Sequence, residues 1–308
     1  MLSIKPADFP LPKWHEYLLG AVAPRPIAFV SSMDKDGKVN LAPFSFFNIF
    51  GSKPPTLIFS PARSGKTGRT KNTFDNLKET DECVVNIVNY AMVHQTSLTS
   101  SEFPKGINEF LKAGFTELKS EIVKPPRVAE SPVQLECRVK QIIETGTEGG
   151  AGNLIICEIL VMHVNENVLD EDKTISPYKM DQVARMGKHY YARMIPDAIF
   201  EVPKPRTHDA LSMGFDQLPE GIKHSKYLTG NDIAQIASSE RIPEEKELFD
   251  MGPVPEVKLV VEKYGNDFTV FEREMHLLAK REIEQHNIWF AFKILMVVEF
   301  TRESLVNK

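Results

Sequence analysis

Residues 133–143 (VQLECRVKQII) and 153–164 (NLIICEILVMHV) are two long apolar runs flanking a glycine-rich connection, 146–152 (GTEGGAG). Runs of this length and composition, bounded by turn residues, read as two antiparallel strands. A hairpin that long cannot stand alone in water; it needs further strands or a covering layer for its apolar face. The preceding residues supply them. The run 27–33 (IAFVSSM) leads through the turn 34–38 (DKDGK) into VNLAP, TLIFS at 56–60 follows a double proline, and ECVVNIV occupies 82–88. Five or six strands with hairpin-type connections and few helices favour a closed or nearly closed antiparallel barrel over a doubly wound sheet.

The acids of DKDGK do not make a calcium loop, because an EF-hand places glycine at the sixth position and here it is the fourth. Short helices are expected near 73–78 and within 106–113, and 124–126 is a breaker. The text changes after Val202, where VPKPR carries two prolines. Beyond it, Thr229 to Asp232 offer caps before IAQIAS, Pro243 precedes EEKELF at an expected first helical position, and 267–285 lacks glycine and proline. The expected organisation is a mainly β domain with peripheral helices over 1–205 and a smaller, mixed but largely helical extension over 206–308.

A chain of 308 residues with 42% hydrophobic and 26% charged residues can bury one large core or two ordinary ones. Its net charge of −5 gives no overall attraction for nucleic acid. Three widely spaced cysteines, Cys83, Cys137 and Cys157, argue against a disulfide framework and fit a reducing compartment, so the expected location is the cytoplasm. The N-terminus has prolines and acids where a signal peptide needs an apolar core. The most apolar run, 288–300, carries Lys293 and Glu299 and is shorter than the roughly 20 residues of a membrane span, so it is expected in a core or interface.

Chemistry concentrates in three segments. The first, 60–73 (SPARSGKTGRTKNT), holds Arg63, Lys66, Arg69 and Lys71 with several hydroxyls and no acid, at the entrance to a helix. Cations, hydroxyl donors and helix N–H groups are what a phosphate dianion requires. A solvated basic loop has the same composition. A Walker A loop is a poor match, because Ser60 stands where that motif needs its first glycine. The second segment, 40–48 (NLAPFSFFN), mixes amide and hydroxyl groups with Phe44, Phe46 and Phe47; it suits a flat heteroaromatic ring or, equally, a buried strand. The third, 185–193 (RMGKHYYAR), joins a glycine to cationic and hydrogen-bonding groups. The segment 146–152 joins two strands instead of opening a helix, so it reads as a mobile loop and not as a dinucleotide fingerprint. The eight histidines are scattered without metal-ligand spacing, and no nucleophile elbow or carboxylate pair stands out. No metal site is expected.

Taken together, PRPIAFVS at 24–31, the DKDG turn, NLAPFSFFN, Pro54-Pro55, KNTFDNL at 71–77, CVVN at 83–86 and RMGKHYYAR resemble the flavin reductase-like proteins, and among them the flavoredoxin-type branch. The resemblance covers roughly 14–205. It implies an FMN-binding split β-barrel that forms a homodimer with one FMN in each of two interface clefts. By position, Ala42, Pro43, Phe44, Ser45, Phe46, Phe47 and Asn48 would hold the isoalloxazine and ribityl portions. Ser60, Lys66, Lys71, Asn72 and Thr73 would hold the phosphate region, and Gly187, His189 and Tyr190 would lie near the flavin or the incoming nicotinamide. Asn72 stands where the branch often has an acid, and Lys188 where a second small residue is common.

The implied activity is hydride transfer from NADH or NADPH to FMN, with electrons passed to a small molecule or a protein. His189 and Tyr190 are the candidate catalytic residues. Flavin carries this chemistry itself, so a missing triad is no objection. The alternative is an FMN-binding electron carrier without nicotinamide turnover; a haem-handling or pyridoxal-phosphate-related split barrel is a third reading. The residues after 205 fall outside the resemblance and would cap the flavin cleft, extend a dimer interface or bind a redox partner.

Overall fold

The computed structural model describes residues 1–101, 103–202 and 212–306. The chain divides into two compact units, Met1–Phe200 and Glu201–Lys308. The expected boundary at 205/206 lies outside the described residues.

The first unit opens with α1 (Leu11–Ala21), followed by β1 (Ala28–Met33), β2 (Val39–Phe44), β3 (Phe47–Ser52) and β4 (Pro55–Phe59). Next come α2 (Asn72–Thr80), β5 (Glu82–Ile87), α3 (Val93–Leu98), α4 (Glu109–Ala113) and the short strands β6 (Glu117–Leu118) and β7 (Arg127–Val128). The long hairpin β8 (Val133–Glu144) and β9 (Asn153–Val164) is followed by a second hairpin, β10 (Val183–Arg185) and β11 (Tyr191–Arg193). Seven strands form one antiparallel sheet in the order β2-β1-β5-β8-β9-β4-β3.

That order fixes the curvature. β2 and β3 lie at opposite ends of the ladder, which would be about 29 Å apart in a flat sheet of seven strands. They are consecutive in sequence, joined only by Ser45 and Phe46, a link of no more than about 11 Å. The sheet therefore curls enough to bring the end of β2 and the start of β3 within that reach. The segment 40–48, which had the composition of a single buried strand, is this corner.

The period-two alternation of β1 separates two cores. Ala28 and Val30 pack with Leu57, Phe59, Val85, Leu135 and Ile155, covered by Phe74 and Leu77 of α2. Ile27 and Phe29 pack with Leu41, Met92, Phe110 and Phe115 on the other face. The three cysteines, contributed by β5, β8 and β9, are free and buried in the first core. Hydrogen bonding to Cys83, together with burial, pushes the Cys137 and Cys157 thiols well up.

The second unit holds α5 (Glu220–Lys223), α6 (Gly230–Ala237), α7 (Glu245–Phe249), α8 (Pro255–Tyr264), α9 (Phe268–Glu284) and α10 (Ile288–Val306). Its described residues contain helices and no strand, in line with the largely helical extension expected. Thr229 and Asp232 form a capping box at α6, and Asp267 caps α9. Pro243 is not the first residue of α7; Glu244 takes the N-cap and Glu247 reaches back to its N–H. The apolar run 288–300 lies in α10, where Ala291, Phe292, Ile294, Leu295 and Val298 are fully buried. It is the centre of this unit's own core, with Ile222, Ile236, Met275 and Leu278. Among the described residues, no helix is long and apolar enough to cross a membrane.

Candidate functional site

The basic segment is a loop between β4 and α2, closed on itself by Gly68 N–H to the Ser64 carbonyl (2.8 Å) and Ser64 N–H to the Arg69 carbonyl (2.9 Å). Gly68 has φ +70°, the left-handed conformation that glycine adopts without strain. Arg63 is committed to the fold: its guanidinium donates to Glu144 at 2.8 Å and to the Gly68 carbonyl at 3.3 Å. Lys66 and Arg69 are exposed at the loop surface.

The glycine-rich segment 146–152 is not free to move as its composition suggested. Arg63 N–H donates to the Ala151 carbonyl (2.9 Å) and Gly150 N–H to the Arg63 carbonyl (3.1 Å). A Cβ on Gly149 would lie 3.0 Å from the Ser64 carbonyl oxygen, so a side chain there would require the backbone to give way where the two loops touch. Asn153, at the end of the segment, donates from its backbone N–H to the Ser60 hydroxyl (3.0 Å) and from its side chain to the Pro61 carbonyl (2.9 Å).

The helix that follows begins without the usual cap. Lys71 occupies the N-cap of α2 and makes no side-chain capping bond, since an ammonium group has no lone pair for the helix N–H donors. The first N–H groups of the helix lack intrahelical acceptors and, among the described residues, a side-chain cap, next to Lys66 and Arg69 in sequence. N–H groups left in this way at a helix start are the donors an anion uses. Thr73 is buried instead, its hydroxyl accepting from Asn40 Nδ2 at 2.9 Å, while Asn76 donates to the Ser32 hydroxyl at 3.2 Å. These two bonds fix α2 against β1 and β2.

The aromatic segment lies beside this loop. Ser60 N–H donates to the Phe46 carbonyl at 2.9 Å, tying the end of β4 to the β2–β3 corner. Ala42, Pro43 and Phe44 close β2, Ser45 and Phe46 turn, and Phe47 and Asn48 open β3. Phe44 stacks on Phe59 with centroids 5.8 Å apart, and both Phe44 and Phe47 pack against the core. Phe46 is 42% exposed and meets the edge of the His15 ring from α1 at 6.2 Å.

Gly187, His189 and Tyr190 lie on the turn between β10 and β11. This turn is joined to the same corner region by α1. Leu11, at the helix start, contacts the position a Cβ on Gly150 would take (3.2 Å), His15 meets Phe46, and Gly20 lies against Gly187. From Leu11 to Gly20 the helix rises about 13 Å. Arg25, 6% exposed, donates to the carbonyls of Leu19, Val22 and Met186, the last at 2.9 Å, and so clamps the end of α1 to the turn. His189 and Tyr190 are exposed.

The structure thus brings the basic loop and the aromatic corner together, with the late turn at the far end of α1. Sequence reasoning did not find α1 or Arg25 as parts of this arrangement, and it placed Asn40 in the aromatic segment without its bond to Thr73 of α2. Pro10-Leu-Pro12 was a usable helix-start signal, whereas the Arg25 clamp joins residues 161 apart and has no local signature. Among the described residues, no group of His, Cys, Asp and Glu could hold a metal ion.

The sequence model of the "Flavin reductase like domain" matches residues 20–185, more than half of the chain. The chain belongs to the flavin reductase-like family. An uncharacterized protein of Aquifex aeolicus is 36% identical to this family member over 189 residues, 61% of this chain and 93% of its own. Nitrilotriacetate monooxygenase component B from Bacillus cereus is 30% identical with a TM-score of 0.60, over 66% of this chain and 98% of its own. The 2-nitrobenzoate 2-nitroreductase NbaA of Pseudomonas fluorescens is 26% identical with a TM-score of 0.59, over 68% of this chain and all of its own. The flavin reductase-like fold is that of the first unit, and the matched domain ends at residue 185.

Proposed function

We propose that this flavin reductase-like protein is an FMN-dependent NAD(P)H oxidoreductase, and that its first unit is a split barrel closed around the β2–β3 corner. The observation that carries the reading is the uncapped N-terminus of α2 beside Lys66 and Arg69, adjoining an aromatic corner. FMN fits that donor set: a dianion for the helix N–H groups and lysines, and a flat ring for the corner.

When bound, FMN would supply reversible two-electron chemistry. The chain supplies position. Lys66, Lys71 and Asn72 would hold the phosphate region, with buried Ser60 and Thr73 fixing the loop and helix behind it. Ala42, Pro43, Phe44, Ser45, Phe46, Phe47 and Asn48 would line the ring and ribityl portions. Gly187 lets the late turn approach α1, which presents His189 and Tyr190 as the candidate groups facing a nicotinamide donor. A homodimer is supported by β3, an end strand exposing Ile49 and Phe50 beside Phe46. The electron acceptor is a small molecule or a protein.

Purified protein saturated with FMN, held without oxygen and mixed with NADH or NADPH, should lose its flavin absorbance. Binding without bleaching would establish a carrier, and a protein that takes up no FMN would overturn the reading.

A further inference from the structure

A cleft of about 380 Å³ lies where α3 and the preceding turn face the β10–β11 hairpin. Its walls are held from both sides. Asp181 accepts two hydrogen bonds from Arg193 (2.7 and 2.9 Å), and Tyr90 N–H donates to the Asp181 carbonyl at 2.9 Å. The Arg193 guanidinium in turn lies 3.6 Å from the Tyr90 ring centroid. On the opposite strand, Arg185 stacks 4.6 Å from the Tyr191 centroid and donates to the Lys188 carbonyl at 2.8 Å.

Charge in this cleft is unbalanced. Asp181 neutralises Arg193, whereas Arg185 has no carboxylate partner among the described residues. His94 and His189 also line the cleft, and neither ring has a hydrogen bond or ion pair among the described residues. The opening therefore combines one uncompensated guanidinium, two imidazoles with free donor capacity and two tyrosine rings. Guanidinium and phenol planes already stack there, so another flat ring extends an existing arrangement. A volume near the lower end for ligand pockets admits one ring system and its charged group, not a whole dinucleotide.

We infer that this cleft binds a planar aromatic ligand carrying an anionic group, with Arg185 taking the anion and the tyrosines the ring. Two sources share that chemistry: the adenylate half of a nicotinamide dinucleotide, and a free aromatic acid. The first source rests on the function proposed above; the binding chemistry itself does not.

The test titrates the full-length protein with AMP and, separately, with benzoate, by calorimetry at low and high salt, while FMN affinity is measured in parallel. At least one probe should saturate, lose affinity with salt, and weaken roughly tenfold in Arg185→Gln. His94→Ala, at an exposed position outside the strands, should weaken it severalfold and guards against misfolding of the first variant. Saturation by AMP alone supports the dinucleotide source, and saturation by benzoate supports the aromatic acid. The inference is overturned if neither probe saturates at millimolar concentration, or if both variants bind as the parent does. Because FMN uptake is read independently, an empty cleft in a yellow protein sinks this inference alone.

Discussion

Gly187 rests directly on Gly20: a Cβ at position 187 would come within 3.3 Å of the Gly20 Cα and 3.5 Å of its nitrogen. Two backbones meet here without a side chain between them, and that contact sets how closely the late turn approaches α1.

The two glycines should therefore respond oppositely to substitution. Gly187→Val puts branched carbon into helix backbone, and a cost of about 1–3 kcal/mol is expected, with faster proteolysis within α1. Gly20→Ala meets open space in a helical segment and should be neutral or stabilising by up to about 1 kcal/mol. Urea unfolding of the two variants checks both signs. Equal destabilisation would show that the contact is not where the fold is tight.

The basic loop is tested by separating phosphate from ring. Lys66→Gln should lower FMN affinity roughly tenfold and leave riboflavin affinity within about twofold, since riboflavin lacks the phosphate. The FMN loss should shrink at high salt. Fluorescence quenching titrations with both flavins measure this, and a parallel loss of riboflavin binding would remove the loop from the phosphate role.

What the sequence made legible follows from how local each signal was. β8 and β9 were readable to within a residue because their apolar runs end at glycines and at a proline-flanked turn. The capping residues of α6 and α9 were equally local. The β2–β3 corner was not readable, because in NLAPFSFFN Ser45 alone interrupts the aromatic run where the chain changes strand; only the pairing of β2 with β1 and of β3 with β4 reveals it. Composition also misled at 146–152, where Gly149 packs closely on the backbone of Ser64 and Gly65. In the candidate site, the residue types of the basic loop were visible, but not that Arg63 is committed to Glu144 or that Lys71 makes no side-chain cap at α2.

Glu136 should be a focus of acid sensitivity in the first unit. It is fully buried, and burial alone would raise its pKa; N–H donors from Glu121, Ile122 and Val123 and the His163 ring outweigh that and hold it below the usual range. Its stabilisation is thus complete above the unfolded carboxylate value of about 4.3 and is lost as pH falls through the lower folded value. Glu136→Gln should cost about 2–4 kcal/mol at neutral pH and flatten the stability profile below about pH 4.5. Chemical denaturation across pH 3–7 reads both effects.

The second unit carries the opposite kind of group, a base buried in its neutral form. His276 is fully buried in α9, with Nδ1 2.8 Å from the Ser225 hydroxyl, the Tyr227 ring at 5.9 Å, and Nε2 without a partner among the described residues. Burial lowers its pKa from 6.5 to about 4, with nearby Glu272 opposing the shift and Arg302 adding to it. Between those two values the unfolded chain binds the proton and the folded one does not, so stability is complete above pH 6.5 and falls as pH drops toward 4. The full loss is about 3 kcal/mol. Trp289 lies in this unit and Trp14 in the other, so denaturation followed with Trp14→Phe reports the helical unit through Trp289 fluorescence. His276→Gln keeps a polar group for Ser225 and removes the titration; its stability should be lower at pH 7 and nearly level between pH 6.5 and 4. A variant whose stability still declines across that interval as steeply as the parent's would place the acid-sensitive group elsewhere.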